Sequence, residues 1–190
     1  QSLPDILNGK DLLAQAKTGS GKTAAFAIGI LSNLDTQVFM TQSLVLCPTR
    51  ELADQVTKEI RQLARAMPNT NILTLCGGKP LGPQLASLER NPHVVVGTPG
   101  RLLKHIGMGT LLLGGIKILV LDEADQMLSL GFQEDIMKII KETPAKRQTL
   151  LFSATYPDEI TKISNSIQKD PVDVRVESLH DDNKIKQTFY

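Results

Sequence analysis

Residues 12–27 read LLAQAKTGSGKTAAFA: a short apolar run, a glycine-rich turn and the start of a helical pattern. Short apolar runs of this kind recur along nearly the whole chain. They are Leu12–Ala14, Leu44–Leu46, Ile72–Leu75, His93–Val96, Ile118–Leu121, Thr149–Phe152 and Val172–Val176. Most hold adjacent apolar residues and not alternating ones, which is typical of parallel strands covered on both faces. Residues 12–27 therefore predict a strand that passes through a tight turn directly into a helix.

The stretches between these runs show the spacing of amphipathic helices. In Arg50–Ala66, apolar residues recur at intervals of three or four, as in a helix with one buried face. Gln133–Glu142 and Pro157–Gln168 follow the same pattern. Alternating strands and helices predict an α/β fold, a doubly wound parallel sheet with helices on both faces. In such sheets, ligands bind at the carboxyl ends of the strands.

The overall composition limits the classes of protein to which the chain can belong. Its 190 residues and 41% hydrophobic content fit one domain with a sizeable core. The formal net charge is only +1, so any contact with nucleic acid has to be local. Cys47 and Cys76 form no CxxC motif, which excludes a disulfide scaffold and fits a reducing compartment. No apolar stretch approaches the roughly 20 residues of a membrane span, so we expect a cytoplasmic protein without a membrane contact.

The glycine-rich turn has the composition of a phosphate-binding loop. It comprises Ala16, Lys17, Thr18, Gly19, Ser20, Gly21, Lys22 and Thr23. The full motif has glycine where Ala16 stands, but the two glycines present still let backbone amides turn toward a phosphate at a helix N-terminus. We expect Lys22 to reach the β- and γ-phosphates of a nucleoside triphosphate and the Thr23 hydroxyl to bind Mg²⁺. The alternative is an ordinary glycine-rich turn with a lysine exposed to solvent.

A second, acidic motif follows the run Ile118–Leu121 and reads Asp122-Glu123-Ala124-Asp125. Carboxylates at the end of a buried strand are placed to complete a phosphate-loop site. Asp122 is expected to hold Mg²⁺, directly or through water, and Glu123 to orient and deprotonate the attacking water. The alternative for Asp122 is a helix N-cap, a role that aspartate often takes. With the phosphate loop present, ATP hydrolysis is the simplest function for these residues.

Six motifs occur in the order that one protein family shows. They are Ala16–Thr23, Pro48–Ala53, Gly77-Gly78, Thr98–Arg101, Asp122–Asp125 and Ser153–Thr155. On these residues the chain resembles the first RecA-like domain of DEAD-box RNA helicases over essentially its whole length. The resemblance implies a RecA-like P-loop NTPase that uses ATP and Mg²⁺. The stretches around Cys47 and Cys76 are most similar to the bacterial DbpA-type branch, which implies ribosomal RNA as a partner and a role in ribosome assembly.

The resemblance also implies an RNA-binding set in the loops after three of the strands. Its members are Thr49, Arg50, Gly77, Gly78, Thr98, Gly100 and Arg101. Hydroxyls, backbone amides and arginines bind the sugar-phosphate backbone and read no bases. The alternatives are that the two arginines form ion pairs on helix surfaces and that Gly78 is an ordinary turn. Aromatic content points away from base stacking, because Phe26, Phe132 and Phe152 are needed in the core and leave no stacking platform.

A third group of residues is expected to couple the two sites. In the family, the last acidic residue of the DEAD motif, here Asp125, is bonded by the residues that correspond to Ser153 and Thr155. This contact links the state of the nucleotide to the grip on RNA. Another role for Thr155 is the N-cap of the following helix, with Pro157 and Asp158 in the first turn. The two roles are compatible, because capping and coupling use different geometry.

The resemblance also sets expected domain limits. Residues 1–177 correspond to the RecA-like domain, truncated at its N-terminus, since aligning Leu3-Pro4 with the family places Gln1 two residues past the glutamine that reads adenine. Residues 178–190 are expected to begin a linker to a second RecA-like domain with arginine fingers. Such a finger is worth ~10³–10⁵ in rate in related systems. We therefore expect these 190 residues alone to be nearly inactive.

For the whole protein, the resemblance implies ATP-dependent opening of short RNA duplexes. ATP and RNA close two domains over a bent single strand, and hydrolysis reopens them. Two alternatives stay open: a DNA helicase of the same superfamily, and an ATP-gated clamp that holds RNA without unwinding it. A phosphate-loop kinase is the least favoured, because it explains only two of the six motifs.

Overall fold

Seven strands and eight α-helices alternate in residues 2–15 and 19–175, the parts of the chain that the computed structural model describes. The strands are β1 (Leu12–Gln15), β2 (Ser43–Leu46), β3 (Ile72–Leu75), β4 (Val94–Gly97), β5 (Ile118–Leu121), β6 (Gln148–Ser153) and β7 (Val172–Arg175). Each apolar run in the sequence is one of these strands, with ends that differ by at most one residue. Val176 and the predicted linker at 178–190 lie outside the described residues.

The helices differ widely in length. They are α1 (Leu3–Leu7), α2 (Lys22–Ser32), α3 (Arg50–Leu63, continued by a 3₁₀ turn at Ala64–Ala66), α4 (Leu81–Leu88), α5 (Pro99–Gly107), α6 (Ala124–Ser129), α7 (Gln133–Lys141) and α8 (Asp158–Ile167). The apolar spacing predicts α3, α7 and α8 well. It does not reveal α1, α4 and α6, because helices of five, eight and six residues are too short for a full amphipathic repeat.

The seven strands form one parallel sheet in the order β3-β4-β2-β5-β6-β1-β7. Their carboxyl ends therefore meet along a single edge. The loops after β1, β5 and β6 lie in one half of this edge, and the loops after β2, β3 and β4 lie in the other. The strand order brings the phosphate loop and the acidic motif into the same half, although about 100 residues separate Lys22 from Glu123 in the sequence.

A separate hydrophobic core lies on each face of the sheet. Successive residues of β5 illustrate the division, since Val120 belongs to one core and Leu119 and Leu121 to the other. Helices α1 to α3 cover the first face, and helices α4 to α8 cover the second. Each large apolar side chain buried in these layers contributes about 1.5–3 kcal/mol. The predicted doubly wound parallel sheet is confirmed.

The aromatic residues follow the predicted pattern with one exception. Phe26 and Phe152 are buried with ring centroids 5.5 Å apart, and Phe132 packs against the second core. Phe39, which was not among the rings assigned to the core, is 65% exposed. This ring precedes β2 and lies 5.9 Å from the ring of His93, which precedes β4. Phe39 therefore lies at the amino ends of the strands, away from the motif-bearing loops.

The described helices include none whose length and apolar content would let it cross a membrane. Cys47 and Cys76 are both free and buried, as small hydrophobic residues in a core. Burial raises the pKa of both thiols, so neither is activated as a nucleophile.

Candidate functional site

The turn between β1 and α2 has the backbone of a phosphate-binding loop in the part that is described. Gly19 and Gly21 have φ of +82° and +79°, a left-handed conformation that residues with a side chain rarely adopt. Helix α2 starts directly after Gly21, so its N-terminal amides face the turn. Thr23 lies half-buried in the first helical turn, and Ser20 is exposed. Ala16, Lys17 and Thr18 lie outside the described residues.

Lys22 is turned inward and not toward solvent. Only 7% of the residue is exposed, and its Nζ lies 3.0 Å from Oδ1 of Asp122 and 3.4 Å from Oε1 of Glu123. The interpretation of Lys22 as a solvent-exposed lysine is therefore wrong. The structure instead joins the end of β1 to the end of β5 through an ammonium held between two carboxylates.

The carboxylate of Asp122 is fully buried, and neither of its oxygens accepts a hydrogen bond from the described residues. Lys22 is close enough to pair electrostatically, but it lies outside hydrogen-bond geometry. Burial raises the pKa of Asp122 above its ordinary value of 3.8, and the positive charge of Lys22 opposes this rise. Buried oxygens without well-aligned donors are rare in folded proteins, and here they indicate a further partner beside the Lys22 ammonium.

The N-cap interpretation of Asp122 is wrong, because the residue at the N-cap position of α6 is Glu123. Glu123 has φ +53° and ψ +53°, a left-handed conformation that is uncommon for any residue other than glycine, asparagine or aspartate. Such a backbone costs about 1–3 kcal/mol and occurs mainly at functional sites. It turns the Glu123 side chain, which is 21% exposed, to the mouth of the site beside Lys22. The sequence gives no signal of this strained conformation.

Thr155 contacts Asp125 as the resemblance implies. Its backbone N–H and its hydroxyl donate to Oδ2 of Asp125 at 3.0 and 2.8 Å. Burial alone would raise the pKa of Asp125, but the hydrogen bonds from Thr155, with smaller contributions from Ser153 and the N–H of Gln126, together hold that pKa below its ordinary value. Ser153 donates its hydroxyl to the carbonyl oxygen of Thr155 at 2.6 Å and so supports this contact. Thr155 is no N-cap, since that position of α8 belongs to Pro157.

In the other half of the edge, α3 brings two of the expected RNA-binding residues to the end of β2. Thr49 is the N-cap of α3, and its hydroxyl accepts a hydrogen bond from the N–H of Leu52 at 3.2 Å. Arg50 is exposed and lies 3.8 Å from the equally exposed Glu51. The ion pair considered for Arg50 is thus present, but at this distance and exposure such pairs contribute about 0–1 kcal/mol. The guanidinium remains accessible to a phosphate.

The two glycines after β3 have different roles. Gly78 has φ +72°, and a Cβ at this position would collide with Nη1 of Arg50. Gly78 is therefore more than an ordinary turn, because its missing side chain makes room for the arginine. At Gly77 a Cβ would have nothing within 4 Å, and the backbone there is not left-handed.

The loop after β4 carries the remaining expected RNA-binding residues. Thr98 is at the N-cap position of α5, and its hydroxyl makes no capping hydrogen bond. Gly100 is exposed in the first turn with open space around it. Arg101 donates from Nη1 to Oε1 of Gln84 and from Nη2 to the carbonyl oxygen of Lys79, both at 3.1 Å. Its partners are neutral acceptors, so the surface ion pair considered for Arg101 is wrong.

Sequence analysis missed several residues that shape this half. Gln84 and His105 are buried beneath Arg101. Gln84 was hidden because α4 gives no helical signal, and nothing in the sequence of α5 marks His105 as a contact of Gln84. Gly97 ends β4 in a place where a Cβ would lie 2.5 Å from the carbonyl oxygen of Leu75. Only glycine fits between β3 and the loop that holds Arg101. The position of Gly97 between the valines of β4 and Thr98 is the sequence signal that could have indicated this close approach.

Comparison with known proteins agrees with this geometry. The sequence model for DEAD/DEAH box helicases matches residues 1–163, most of the chain. The chain belongs to the DEAD/DEAH box helicase family. The family predicted from the six motifs is therefore confirmed.

Individual relatives of this DEAD/DEAH box protein give the same result. It is 56% identical over its whole length to the ATP-dependent RNA helicase DbpA of Escherichia coli K12, of which it covers 41%. It is 48% identical over 94% of its length to DeaD of the same organism, of which it covers 28%. The predicted similarity to the DbpA type is confirmed. The chain thus spans less than half the length of these curated relatives.

Solved structures support the RecA-like fold of this DEAD/DEAH box protein. A DEAD box protein from the hyperthermophile Methanococcus jannaschii superimposes with a TM-score of 0.87 at 42% identity, over 92% of this chain and 48% of that one. A hypothetical ATP-dependent RNA helicase from Sulfolobus tokodaii gives 0.83 at 41% identity, over 93% of this chain and 51% of that one.

Proposed function

We propose that this chain is the ATP-binding domain of an RNA helicase and that it binds ATP with Mg²⁺ at the ends of β1, β5 and β6. The observation that carries the proposal is the cluster of Lys22, Asp122 and Glu123 beside a glycine turn. A buried lysine held by carboxylates at 3.0 and 3.4 Å, with one carboxylate lacking donors, suits a site completed by a ligand. Both relatives described above are named ATP-dependent RNA helicases, which supports the same proposal.

The residues at this site fit Mg²⁺. A hard cation prefers oxygen ligands, and the donor-free carboxylate of Asp122 and the hydroxyl of Thr23 are of that kind. When bound, the ion neutralises charge on the β- and γ-phosphates. Lys22 then exchanges its two carboxylate partners for phosphate oxygens. This exchange frees Glu123 from the ammonium at the moment when nucleotide is in place.

Glu123 is the proposed catalytic base. Its carboxylate is partly exposed, so a water molecule can reach it, and the left-handed backbone holds it at the mouth of the site. In phosphoryl transfer the protein mainly positions the nucleophile and stabilises charge. Glu123 orients the attacking water and accepts its proton, while Lys22 and Asp122 hold the phosphates and the ion.

The other half of the edge is the proposed RNA site. Exposed Arg50 and half-buried Arg101 supply cations, and Thr98 and the Gly77-Gly78 turn supply a hydroxyl and accessible backbone. These groups bind phosphates and sugars, so we expect little sequence preference from this domain. Target choice, including the proposed ribosomal RNA and ribosome assembly, then depends on other parts of a longer protein. The greater length of the relatives supports a second RecA-like domain as the partner that completes the site.

The contact between Asp125 and Thr155 links the two sites in this proposal. Asp125 lies just past the acidic pair that follows β5, and Thr155 lies just past β6, so both are beside the proposed nucleotide site. A shift of either strand end on nucleotide binding changes this bonded pair. ATP would then favour the conformation that grips RNA, and hydrolysis would release it.

ATP turnover by the full-length protein, measured with and without duplex RNA, tests this function. We expect RNA-dependent turnover that falls by about 10²–10⁴-fold in Glu123→Gln. Nucleotide binding by that variant should persist, since Lys22 and Asp122 remain. Glu134→Gln, which changes an exposed glutamate of α7, is the matched control and should keep normal turnover.

Turnover that is indifferent to RNA, or that survives in Glu123→Gln, would contradict the proposal. Stimulation by DNA equal to that by RNA would favour the DNA-helicase alternative. RNA-dependent turnover without displacement of a labelled strand would favour the clamp. These outcomes separate the three activities that share the motifs of this chain.

A further inference from the structure

The side-chain amide of Gln84 lies buried beneath Arg101, with only 6% of the residue exposed. Its Nε2 donates to the carbonyl oxygen of Cys76 at 3.1 Å. Its Oε1 accepts from Nη1 of Arg101 at 3.1 Å and lies 3.0 Å from Nε2 of His105. The amide can take only one orientation, since a guanidinium only donates and a carbonyl oxygen only accepts.

The same logic fixes the proton on His105, which is completely buried. Because Oε1 of Gln84 is an acceptor, Nε2 of His105 carries the hydrogen. The neutral ring leaves Nδ1 as an acceptor 3.0 Å from the Thr110 hydroxyl, which also donates to the carbonyl oxygen of His105 at 3.1 Å. Burial, with the positive charges of Arg101 and Lys104, lowers the pKa of His105 and keeps the ring neutral. Gln84 is therefore held from below by a histidine that is itself oriented.

Arg101 is in turn held between the two loops that carry other proposed RNA contacts. One of its terminal nitrogens is bound by Gln84 and the other by the carbonyl oxygen of Lys79. A guanidinium has five N–H donors, so most of the fork stays available to a phosphate. Lys79 also donates from Nζ to Asp54 of α3 at 2.9 Å, but both side chains are about half exposed, so this pair holds the loop after β3 only weakly.

We propose that Gln84 and His105 are positioning residues for RNA binding: they hold the guanidinium of Arg101 in place before RNA arrives. The inference rests on the proposed function, in which Arg101 binds the RNA backbone. Gln84 sits on α4 and His105 on α5, so the pair also locks the loops after β3 and β4 into one unit. An arginine ordered in advance loses less side-chain freedom on binding and gives higher affinity.

A double-mutant cycle on the full-length protein tests the inference. The probe is a fluorescein-labelled decauridine, titrated in the presence of a non-hydrolysable ATP analogue and followed by anisotropy. We expect Gln84→Leu and Arg101→Ala each to weaken RNA binding by about tenfold. The double variant should be no weaker than Arg101→Ala alone, because Gln84 acts through that arginine. Affinity for the ATP analogue without RNA should stay unchanged.

Gln148→Leu is the matched control. Gln148 is another buried amide, and it donates to the carbonyl oxygens of Ile6 and Lys10 at 2.9 and 2.7 Å, far from the motif-bearing edge. This variant loses comparable buried hydrogen bonds, yet its RNA affinity should stay within about twofold of the parent. If Gln84→Leu does not fold, His105→Phe replaces it. That variant removes the Nε2 hydrogen and should weaken RNA binding about threefold, only while Arg101 is present.

Additive losses in the cycle would overturn the inference, as would a folded Gln84→Leu that binds RNA normally while Arg101→Ala does not. An Arg101→Ala variant with normal RNA affinity would also overturn it, because nothing would remain to be positioned. The proposed function fails by a different result, the absence of RNA-dependent ATP turnover. The two failures are therefore distinguishable.

Discussion

At the ends of β1 and β5, the buried carboxylate of Asp122 accepts no hydrogen bond from the described residues, whereas beside the ends of β3 and β4 both polar atoms of the buried Gln84 amide have partners. The first belongs to what we call the nucleotide half of the sheet edge, formed by the loops after β1, β5 and β6. The second belongs to the RNA half, formed by the loops after β2, β3 and β4.

The two halves are built on the same parallel sheet, but they differ in whether their buried polar groups find partners within the protein. In the nucleotide half, charges are buried and a residue is strained at Glu123, so the unliganded site carries a free-energy cost. In the RNA half, Arg101 is held by the neutral acceptors of Gln84 and Lys79, whereas Arg50 is exposed beside Gly78 and Glu51. Ligand binding should therefore stabilise the nucleotide half more. A substitution in the nucleotide half should lower activity and raise stability, whereas a substitution in the RNA half should lower both.

Asp122→Asn tests the nucleotide half and has the largest expected effect. We expect ATP turnover to fall by at least about 10²-fold, as when a catalytic electrostatic group is lost. Thermal unfolding at pH 7 should show a stability gain of about 0.5–2 kcal/mol, because the variant removes the fully buried negative charge while Glu123 still pairs with the Lys22 ammonium at 3.4 Å. Lower stability together with lost turnover would contradict the account of Asp122 as a costly functional residue.

The pH dependence of this gain gives a further check. The pKa of Asp122 is raised in the folded protein, so its contribution to stability is fully present below the unfolded value of 3.8 and declines as pH rises through the raised pKa. The advantage of Asp122→Asn should therefore be absent in acid and grow toward neutral pH. Unfolding curves of both proteins across this range measure it.

Gly78→Ala tests the RNA half. The left-handed backbone should cost about 1–2 kcal/mol of stability, and the added Cβ should displace the flexible end of the Arg50 side chain. RNA affinity should fall several-fold, about threefold to tenfold. Gly77→Ala is the matched control, since its Cβ meets nothing within 4 Å, and it should retain both properties. Equal effects of the two substitutions would refute the role assigned to Gly78.

Asp125→Ala should have the smallest effect on stability and act on the link between the halves. It removes two hydrogen bonds from Thr155 and should cost about 1 kcal/mol at neutral pH. The pKa of Asp125 is held below 3.8, so this stabilisation is present above that pH and is lost as pH falls through the lowered pKa. Strand displacement should fall more than ATP turnover. Asp5→Ala, which breaks an exposed pair with Lys10, is the control.

The strand positions and most site residues were predictable from sequence, because buried parallel strands and phosphate loops leave local patterns. Residues 12–27 alone predict the first strand, turn and helix. What stayed hidden depends on tertiary contacts. The short helix α4 has no full amphipathic repeat, so nothing in the sequence marked Gln84 as a buried residue beneath Arg101.

Backbone conformation at the site also could not be predicted from the sequence. The left-handed Glu123 has no sequence signal, since its residue type disfavours that conformation. Ser153 was expected to bond Asp125; its hydroxyl donates to the carbonyl oxygen of Thr155 at 2.6 Å, and Ser153 also lies close enough to Asp125 to lower the pKa of that carboxyl. Sequence patterns thus predict which residues lie at the same edge of the sheet. They do not predict which of these residues form hydrogen bonds with one another.

The most direct test of a divided edge is a crossed binding measurement on Lys22→Ala and Arg50→Ala. Nucleotide affinity is measured without RNA, and RNA affinity without nucleotide, so that coupling between the sites does not enter. We expect Lys22→Ala to lose about tenfold to a hundredfold in nucleotide affinity and to keep RNA affinity, with the converse, several-fold RNA loss in Arg50→Ala. Loss of both affinities in either folded variant would contradict the division.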